Sequence, residues 1–500
     1  MSEPDRPVIR PTAAGPVEGR CDGRVTRFLG VPYAAPPVGA NRFREPQPVV
    51  PWDRTRPAIE PGPSAYQVIR DLPAIEVVPL IGPGSAGGDD VLALNVWAPA
   101  DAAPGTRPVM VWIHGGGFVV GSKDAPVQDG STFARDGVVC VAINYRLGIE
   151  GFVPISGVPT NLGLRDILAA LAWVQDNIGA FGGNPANVTV FGESAGAMAI
   201  ADLVASPKAR GLFRRAIIQS GHGAMVREPR IAARLVARLA RALKVAPTRE
   251  GFATTTPAQG WTAIEKVSKP LTGVDLRDEA GFEPVFGISR IIPVVGDDVL
   301  PRRPVEALAA GAGRDVDVLI GTNAEEMNLY LVPTGVKKRI PGFLARWLLG
   351  RSHRQARAIL AAYGMGQPGR KPGEVLTAAM HDLVFRWPAR RFAEAHQGAT
   401  HVYEFDWRSP ACEGELGAAH AMDVPFVFDT LAVASGPKGL CGEAPPQALA
   451  DRIHALWIGF ATDGSLPWPA FTREDRWVHQ LSADETVQEP VMPAAAFLPD

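Results

Sequence analysis

The sequence predicts an α/β protein, with a large, mostly parallel central sheet covered by helices on both faces. Three observations carry this. Short runs that are apolar throughout alternate with stretches of helical spacing. Strands buried on both faces read as unbroken apolar runs, and intervening helices supply the crossovers that parallel neighbours need. Hydrophobic residues make up 46% and charged residues 20% of the 500, enough to bury a sizeable core. No internal repeat or long low-complexity linker divides the chain, so residues 1–500 are expected to form one domain, although length alone would suggest two or three.

In chain order, residues 94–98, 109–113, 138–144, 188–191 and 216–219 read as buried strands. Before the fourth, residues 166–181 set Ile167, Leu168, Leu171, Val174 and Ile178 at helical spacing. Two further strand candidates, 316–320 and 401–407, come late. Residues 225–300 and 328–396 are helical and irregular in pattern, and are expected to be insertions that cap one edge of the sheet. Within the second, residues 337–357 surround Phe343, Leu344, Trp347, Leu348 and Leu349 with Lys337, Lys338, Arg339, Arg346, Arg351, Arg354 and Arg357. Such a basic amphipathic stretch is expected to pack its apolar face over the site as a cap helix, or else to meet an anionic lipid surface. No other membrane contact is expected.

Composition excludes several functions. A formal charge of -2 argues against a nucleic-acid partner. No stretch reaches the roughly 18 consecutive apolar residues of a spanning helix. Residues 1–10 are polar and Pro-rich, without the apolar core of an export signal, so a cytoplasmic protein is expected. Cys21, Cys140, Cys412 and Cys441 have no CxxC spacing and are expected to be buried free thiols, with neither a disulfide framework nor a zinc site. The sequon at Asn187 leads into a strand, which argues against glycosylation.

Gly192-Glu193-Ser194-Ala195-Gly196 is the one GxSxG in the chain. A strand runs into it and a run of small residues opens a helix after it, the setting in which a sharp turn presents a serine hydroxyl as a nucleophile. The alternative is a glycine-rich turn with an idle serine. His114-Gly115-Gly116-Gly117-Phe118 follows the strand at 109–113. Three glycines let backbone N–H groups approach a developing oxyanion, with Gly116, Gly117 and Ala195 as the candidate donors. Alone, this run is equally a tight turn after a strand.

These motifs, with others, resemble the type-B carboxylesterase family, which includes cholinesterases and bacterial para-nitrobenzyl esterases, the latter being the nearer likeness. Phe28-Leu29-Gly30-Val31-Pro32-Tyr33-Ala34, Leu94-Asn95-Val96-Trp97, Asn144-Tyr145-Arg146-Leu147-Gly148 and Trp457-Ile458-Gly459-Phe460-Ala461 match the family pattern, so the likeness spans nearly the whole chain. It implies the α/β-hydrolase fold and serine hydrolysis of small carboxylic esters, with no metal or cofactor. His420, opening His420-Ala421-Met422-Asp423-Val424-Pro425-Phe426, resembles the family's catalytic histidine. For the orienting acid, Glu325 and Glu326 compete after the strand at 316–320; the family spacing selects Glu326, although Met327 stands where the family has glycine. The resemblance also implies supporting roles for Glu193 and Ser220, and scaffold ion pairs of Arg42 with Asp89 and Arg146 with Asp166.

Two rival readings share the fold or its chemistry. Catalytically dead adhesion modules share the fold, but this chain keeps all three triad residues and has Val91 where many relatives have a disulfide cysteine. Amidase, thioesterase or peptidase action would use the same acyl-enzyme chemistry, and the motifs do not separate it from ester hydrolysis. A histidine base predicts activity rising with pH around a midpoint of about 6 to 7.5. Residues 64–88 hold no tryptophan and one aromatic, Tyr66, but offer Val68, Ile69, Leu72, Ile75, Val77, Val78, Leu80 and Ile81. That predicts an aliphatic wall suited to neutral, moderately apolar esters, and poor turnover of choline esters. The sequence does not indicate an oligomeric state.

Overall fold

A computed structural model of the chain describes residues 5–85, 88–269 and 274–498. Parts of four sequence expectations lie outside these: residues 1–4 of the N-terminus, 86–87 of the proposed aliphatic wall, 270–273 of the first insertion, and 499–500 of the single domain.

Thirteen strands form one sheet. In chain order they are β1 (Arg6–Arg10), β2 (Val17–Cys21), β3 (Val25–Pro32), β4 (Arg56–Pro57), β5 (Ala93–Pro99), β6 (Arg107–Ile113) and β7 (Val139–Ile143). Then follow β8 (Gly183–Glu193), β9 (Arg215–Gln219), β10 (Asp317–Asn323), β11 (Thr400–Phe405), β12 (Trp477–Gln480) and β13 (Glu485–Gln488). The spatial order is β1-β2-β3-β5-β7-β6-β8-β9-β10-β11-β12-β13, with β4 beside β2. From β7 to β12 every neighbour pair is parallel; the antiparallel pairs lie toward the two ends.

All seven expected strands are present. The expected helix begins a few residues earlier, at Leu162–Asn177, and its last turn tightens into a 3-10 segment, Ile178–Phe181. The strands at the edges, β1 to β4, β12 and β13, were not foreseen. β1 is largely exposed and carries Arg6 and Arg10, so it has no apolar run to read. Edge strands are often kept polar in this way, which discourages pairing between molecules.

Successive side chains of a strand point to opposite faces, and each central strand feeds two cores. Val109, Val111 and Ile113 of β6 pack with the helices Leu162–Asn177 and Ala195–Val204 on one face. Met110 and Trp112 pack with Phe191 and with Trp457 of the helix Gln447–Asp463 on the other. Burial of both faces explains why these strands read as continuous apolar runs.

The expected Arg146–Asp166 pair is present and buried, with Nη2 2.6 Å from Oδ1. The Arg42–Asp89 pair is not. Arg42 instead grips Glu150, 2.6 Å away at the start of a short helix, while Asp89 is exposed and has no ion pair among the described residues. Cys21, Cys140 and Cys441 are buried as expected, but Cys412 is partly exposed. The stretch 337–357 is not one helix. It breaks at Pro341 into Val336–Arg339 and Gly342–Gly350. The second helix buries Ala345 and Leu349 and turns Phe343 and Trp347 outward, and none of the stretch lines the catalytic cavity, so the cap-helix expectation fails.

Candidate active site

The carboxyl ends of β6, β8, β9, β10 and β11 lie side by side at one edge of the sheet, and every candidate residue ends or follows one of them. Ser194 sits between β8 and the helix Ala195–Val204 with φ 53° and ψ −122°, a left-handed conformation rare for serine. Neighbouring backbone makes this sharp turn possible: a Cβ on Gly196 would lie 1.9 Å from the Ile113 carbonyl oxygen. The Ser194 N–H is anchored to the Gln219 carbonyl at 2.9 Å.

The loop after β6 passes the same point. Gly116 has φ 106°, and a Cβ there would meet the Val120 carbonyl at 2.1 Å. The Gly116 carbonyl accepts from the N–H groups of Val119 and Val120. The Gly117 carbonyl accepts from Ser289 Oγ at 3.0 Å, and Gly121 exchanges two hydrogen bonds with the Gln67 side chain. The N–H groups of Gly116, Gly117 and Ala195 donate to no other atom of the described residues, and all three residues line one cavity of about 540 Å³ with Ser194, Glu193 and His420. His114 is buried against Tyr145, with ring centroids 4.5 Å apart, and burial lowers its pKa to about 4, so it is neutral.

β10 and β11 deliver the remaining pair. His420 Nδ1 lies 2.6 Å from Glu326 Oε2. The other oxygen, Oε1, accepts from the Asn323 N–H at 2.8 Å, so both are engaged and the carboxylate is held in one orientation. Glu325 turns the other way, pairing with Arg408 and accepting from the Ala418 N–H. Met327 adopts an ordinary helical conformation, φ −71°, so the turn has no need of a glycine.

Glu193 Oε1 stands 3.0 Å from His420 Nε2. Burial raises Glu193 to a pKa of about 8, opposed by His420. Burial works against a charged His420, but Glu193 and Glu326 outweigh it and lift its pKa to about 9. Near neutral pH the pair therefore retains, between them, a proton that the free side chains would shed. The midpoint of 6 to 7.5 expected from an ordinary histidine takes no account of these carboxylates.

Ser220 is fully buried after β9 with φ 53°, but its hydroxyl hydrogen-bonds to nothing among the described residues, His420 included, so its supporting role has no hydrogen bond behind it. Several neighbours were not foreseen. The rings of Phe385 and Tyr330 stand 4.7 and 5.5 Å from that of His420. Asp423 receives Gln219 Nε2 at 2.8 Å, and Asn323 Nδ2 bonds to the Ala419 carbonyl at 2.7 Å, tying β9 and β10 to the histidine loop. Asp423 falls within the segment already quoted around His420; its buried setting was the missing signal. Of the aliphatic wall, Leu72, Val77, Leu80 and Ile81 line the cavity, whereas Val68, Ile69, Ile75 and Val78 do not. Aromatic surface comes from elsewhere, as Phe118, Trp261, Tyr330 and Phe385. Among the described residues no group of His, Cys, Asp and Glu is arranged to hold a metal ion, and no helix is long and apolar enough to cross a membrane.

Comparison with known proteins places this geometry. Residues 6–494 match the family model described as "Carboxylesterase family". The chain is 34% identical to para-nitrobenzyl esterase from Bacillus subtilis over 493 residues, covering 95% of each chain. It is 34% identical to phenmedipham hydrolase from Pseudarthrobacter oxydans over 491 residues, covering 94% of each. A solved carboxylesterase from Geobacillus stearothermophilus superposes with a TM-score of 0.81 at 32% identity, covering 98% of this chain and 99% of that one.

Proposed function

The chain belongs to the carboxylesterase family and is a serine hydrolase of carboxylic esters, and from that premise we propose which residues perform the reaction. Ser194 Oγ passes its proton to His420 Nε2 and attacks the ester carbonyl carbon. The carbonyl oxygen becomes an oxyanion held by the N–H groups of Gly116, Gly117 and Ala195. The tetrahedral intermediate collapses, the C–O bond to the alcohol breaks, and His420 returns the proton to the departing oxygen. Water then gives its proton to His420 and attacks the acyl-enzyme, and the acid leaves as Ser194 is reprotonated. Glu326 fixes the tautomer of His420 and stabilises the imidazolium without itself taking the proton. Glu193 acts through His420, raising its basicity.

One observation carries this reading: the turn at Ser194, the three free N–H groups and a histidine buttressed by a carboxylate 2.6 Å away all face a single cavity. Ser194→Ala is expected to fold and lose esterase activity, and a fluorophosphonate probe is expected to label Ser194 alone. Labelling elsewhere, or near-wild-type rates in the variant, would refute the assignment.

Residues 225–300 and 328–396 form the cap of one continuous domain, since Met225, Trp261, Ile288, Tyr330 and Phe385 reach the cavity from them. Its largely apolar wall suits neutral, moderately apolar esters. A cytoplasmic location fits the four free thiols, because oxidising compartments favour disulfides.

A further inference from the structure

Arg290 lines the catalytic cavity and is only 8% exposed. It follows Ser289, the residue whose hydroxyl is bonded to Gly117 of the oxyanion loop. Its Nε is buried without a hydrogen-bond partner, and its terminal nitrogens donate to no atom of the described residues. Nor has it an ion-pair partner among them.

The buried carboxylate of this part of the cap, Glu283, is already spent. Glu283 receives Arg227 Nη2 on Oε1 at 3.0 Å, and Oε2 accepts from the Gly287 N–H at 3.0 Å and Ser352 Oγ at 3.2 Å. Arg227 also donates to the Arg290 carbonyl at 2.8 Å, so the two arginines stand together while Glu283 pairs with Arg227. The other charges on the cavity wall are likewise engaged. Arg70 pairs with Glu265, and Glu193 faces His420. A guanidinium stays charged at any working pH, and burying one without a counter-charge is costly. Its planar fork matches a carboxylate, which it binds through two parallel hydrogen bonds.

We propose that the cavity selects esters bearing a free carboxylate away from the scissile bond, with Arg290 as the residue that binds it. This rests on Ser194 carrying out acyl transfer in the same cavity. It narrows the substrate reading without displacing it: neutral esters remain substrates through the apolar wall, which takes the carbon chain, and Arg290 adds a preference for an anion at one distance along it. The class implied is the monoester of a dicarboxylic acid.

The test compares kcat/KM, by pH-stat, for monoethyl esters of C4 to C8 dicarboxylic acids with that for ethyl esters of monocarboxylic acids of the same length. The anionic ester is expected to exceed its neutral counterpart by about tenfold or more at one or two lengths, the advantage shrinking as salt is added. Arg290→Met should bring that ratio to one or below, and Arg290→Lys should keep part of it. A wild-type ratio at or below one at every length, or an unchanged ratio in Arg290→Met, overturns the proposal. Should Arg290→Met not fold, inhibition of the wild type decides. Free C4 to C8 dicarboxylates should compete with a neutral ester at least about tenfold better than monocarboxylates of equal length, and equal inhibition counts against Arg290. If no ester is hydrolysed at all, the acyl-transfer reading falls and this one with it; if neutral esters alone are turned over, only this one falls.

Discussion

Two clusters of buried charge lie behind the late strands, and they are built on opposite plans. Around Arg386, which ends the π-helical turn Asp382–Arg386, and Arg390, in the α-helix Trp387–Ala395 that follows, charges are matched. Arg390 donates to both oxygens of Glu489 at 2.8 Å, Arg386 reaches the same carboxylate at 2.9 Å, and Arg476 holds Glu394 at 2.6 Å. Burial opposes ionisation of Glu489, but Arg390 and Arg386 outweigh it and hold its pKa at about 2. Around His420 the acids Glu193, Glu326 and Asp423 face one imidazole, and no guanidinium or ammonium bonds to any of them among the described residues. There Glu193 and Asp423 are both pushed up by burial. Matched charges fix a shape. Unmatched ones keep protons exchangeable near neutral pH, which acid–base chemistry requires.

The sharpest way to break this contrast is to remove one acid from the unmatched cluster. Glu326→Gln should lower kcat by about three to four orders of magnitude, because the amide misorients His420. Glu325→Gln, which loosens an ion pair with exposed Arg408 and keeps an oxygen for the Ala418 N–H, should change kcat by less than about threefold. The reverse pattern would move the orienting role by one residue. In the matched cluster the loss should fall on stability instead. Arg390→Met takes from buried Glu489 the partner that holds both its oxygens, leaving Arg386, and should cost up to about 3 kcal/mol, read as a lower urea midpoint, with kcat per folded molecule little changed. A variant as stable as the wild type would show that this cluster is not the fixed frame described here.

The smallest effect concerns pH. His420 must be neutral to accept the serine proton, so a raised pKa moves the acid limb of kcat/KM upward. The midpoint should lie above the ordinary histidine value of about 6.5 and toward about 9. Glu193→Gln removes the larger of the two raising charges and should lower that midpoint by about one unit. A wild-type midpoint at or below 6.5, or one that Glu193→Gln leaves in place, would mean that the acids do not govern the base.

Much of this was legible in the sequence because it depends on local chain. The apolar runs mark the central strands, and glycines mark the turns at Ser194 and Gly116, where side chains are excluded. Family spacing singled out Glu326 from its neighbour, and the structure brings that residue, not Glu325, to His420. What sequence left unread depends on contacts across long separations. Glu150 takes Arg42 from Asp89, Phe343 and Trp347 turn away from the cavity, and the unpaired state of Arg290 is visible only once Glu283 is seen to be spent. The exposed β1 and the short β12 and β13 lacked the apolar pattern that marks a strand, since each is settled by pairing with a neighbour.

The contact between Gly196 and the Ile113 carbonyl has a consequence for how such a chain diversifies. The serine turn and the oxyanion loop are seated main chain on main chain, with no side chain between them. Much of the cavity wall, by contrast, is furnished by side chains of segments 64–88, 225–300 and 328–396. Substitutions in the wall can therefore accumulate and exchange one ester for another while the reacting atoms keep their spacing. The glycines at the junction admit almost no replacement, so the two parts of the site should drift at very different rates.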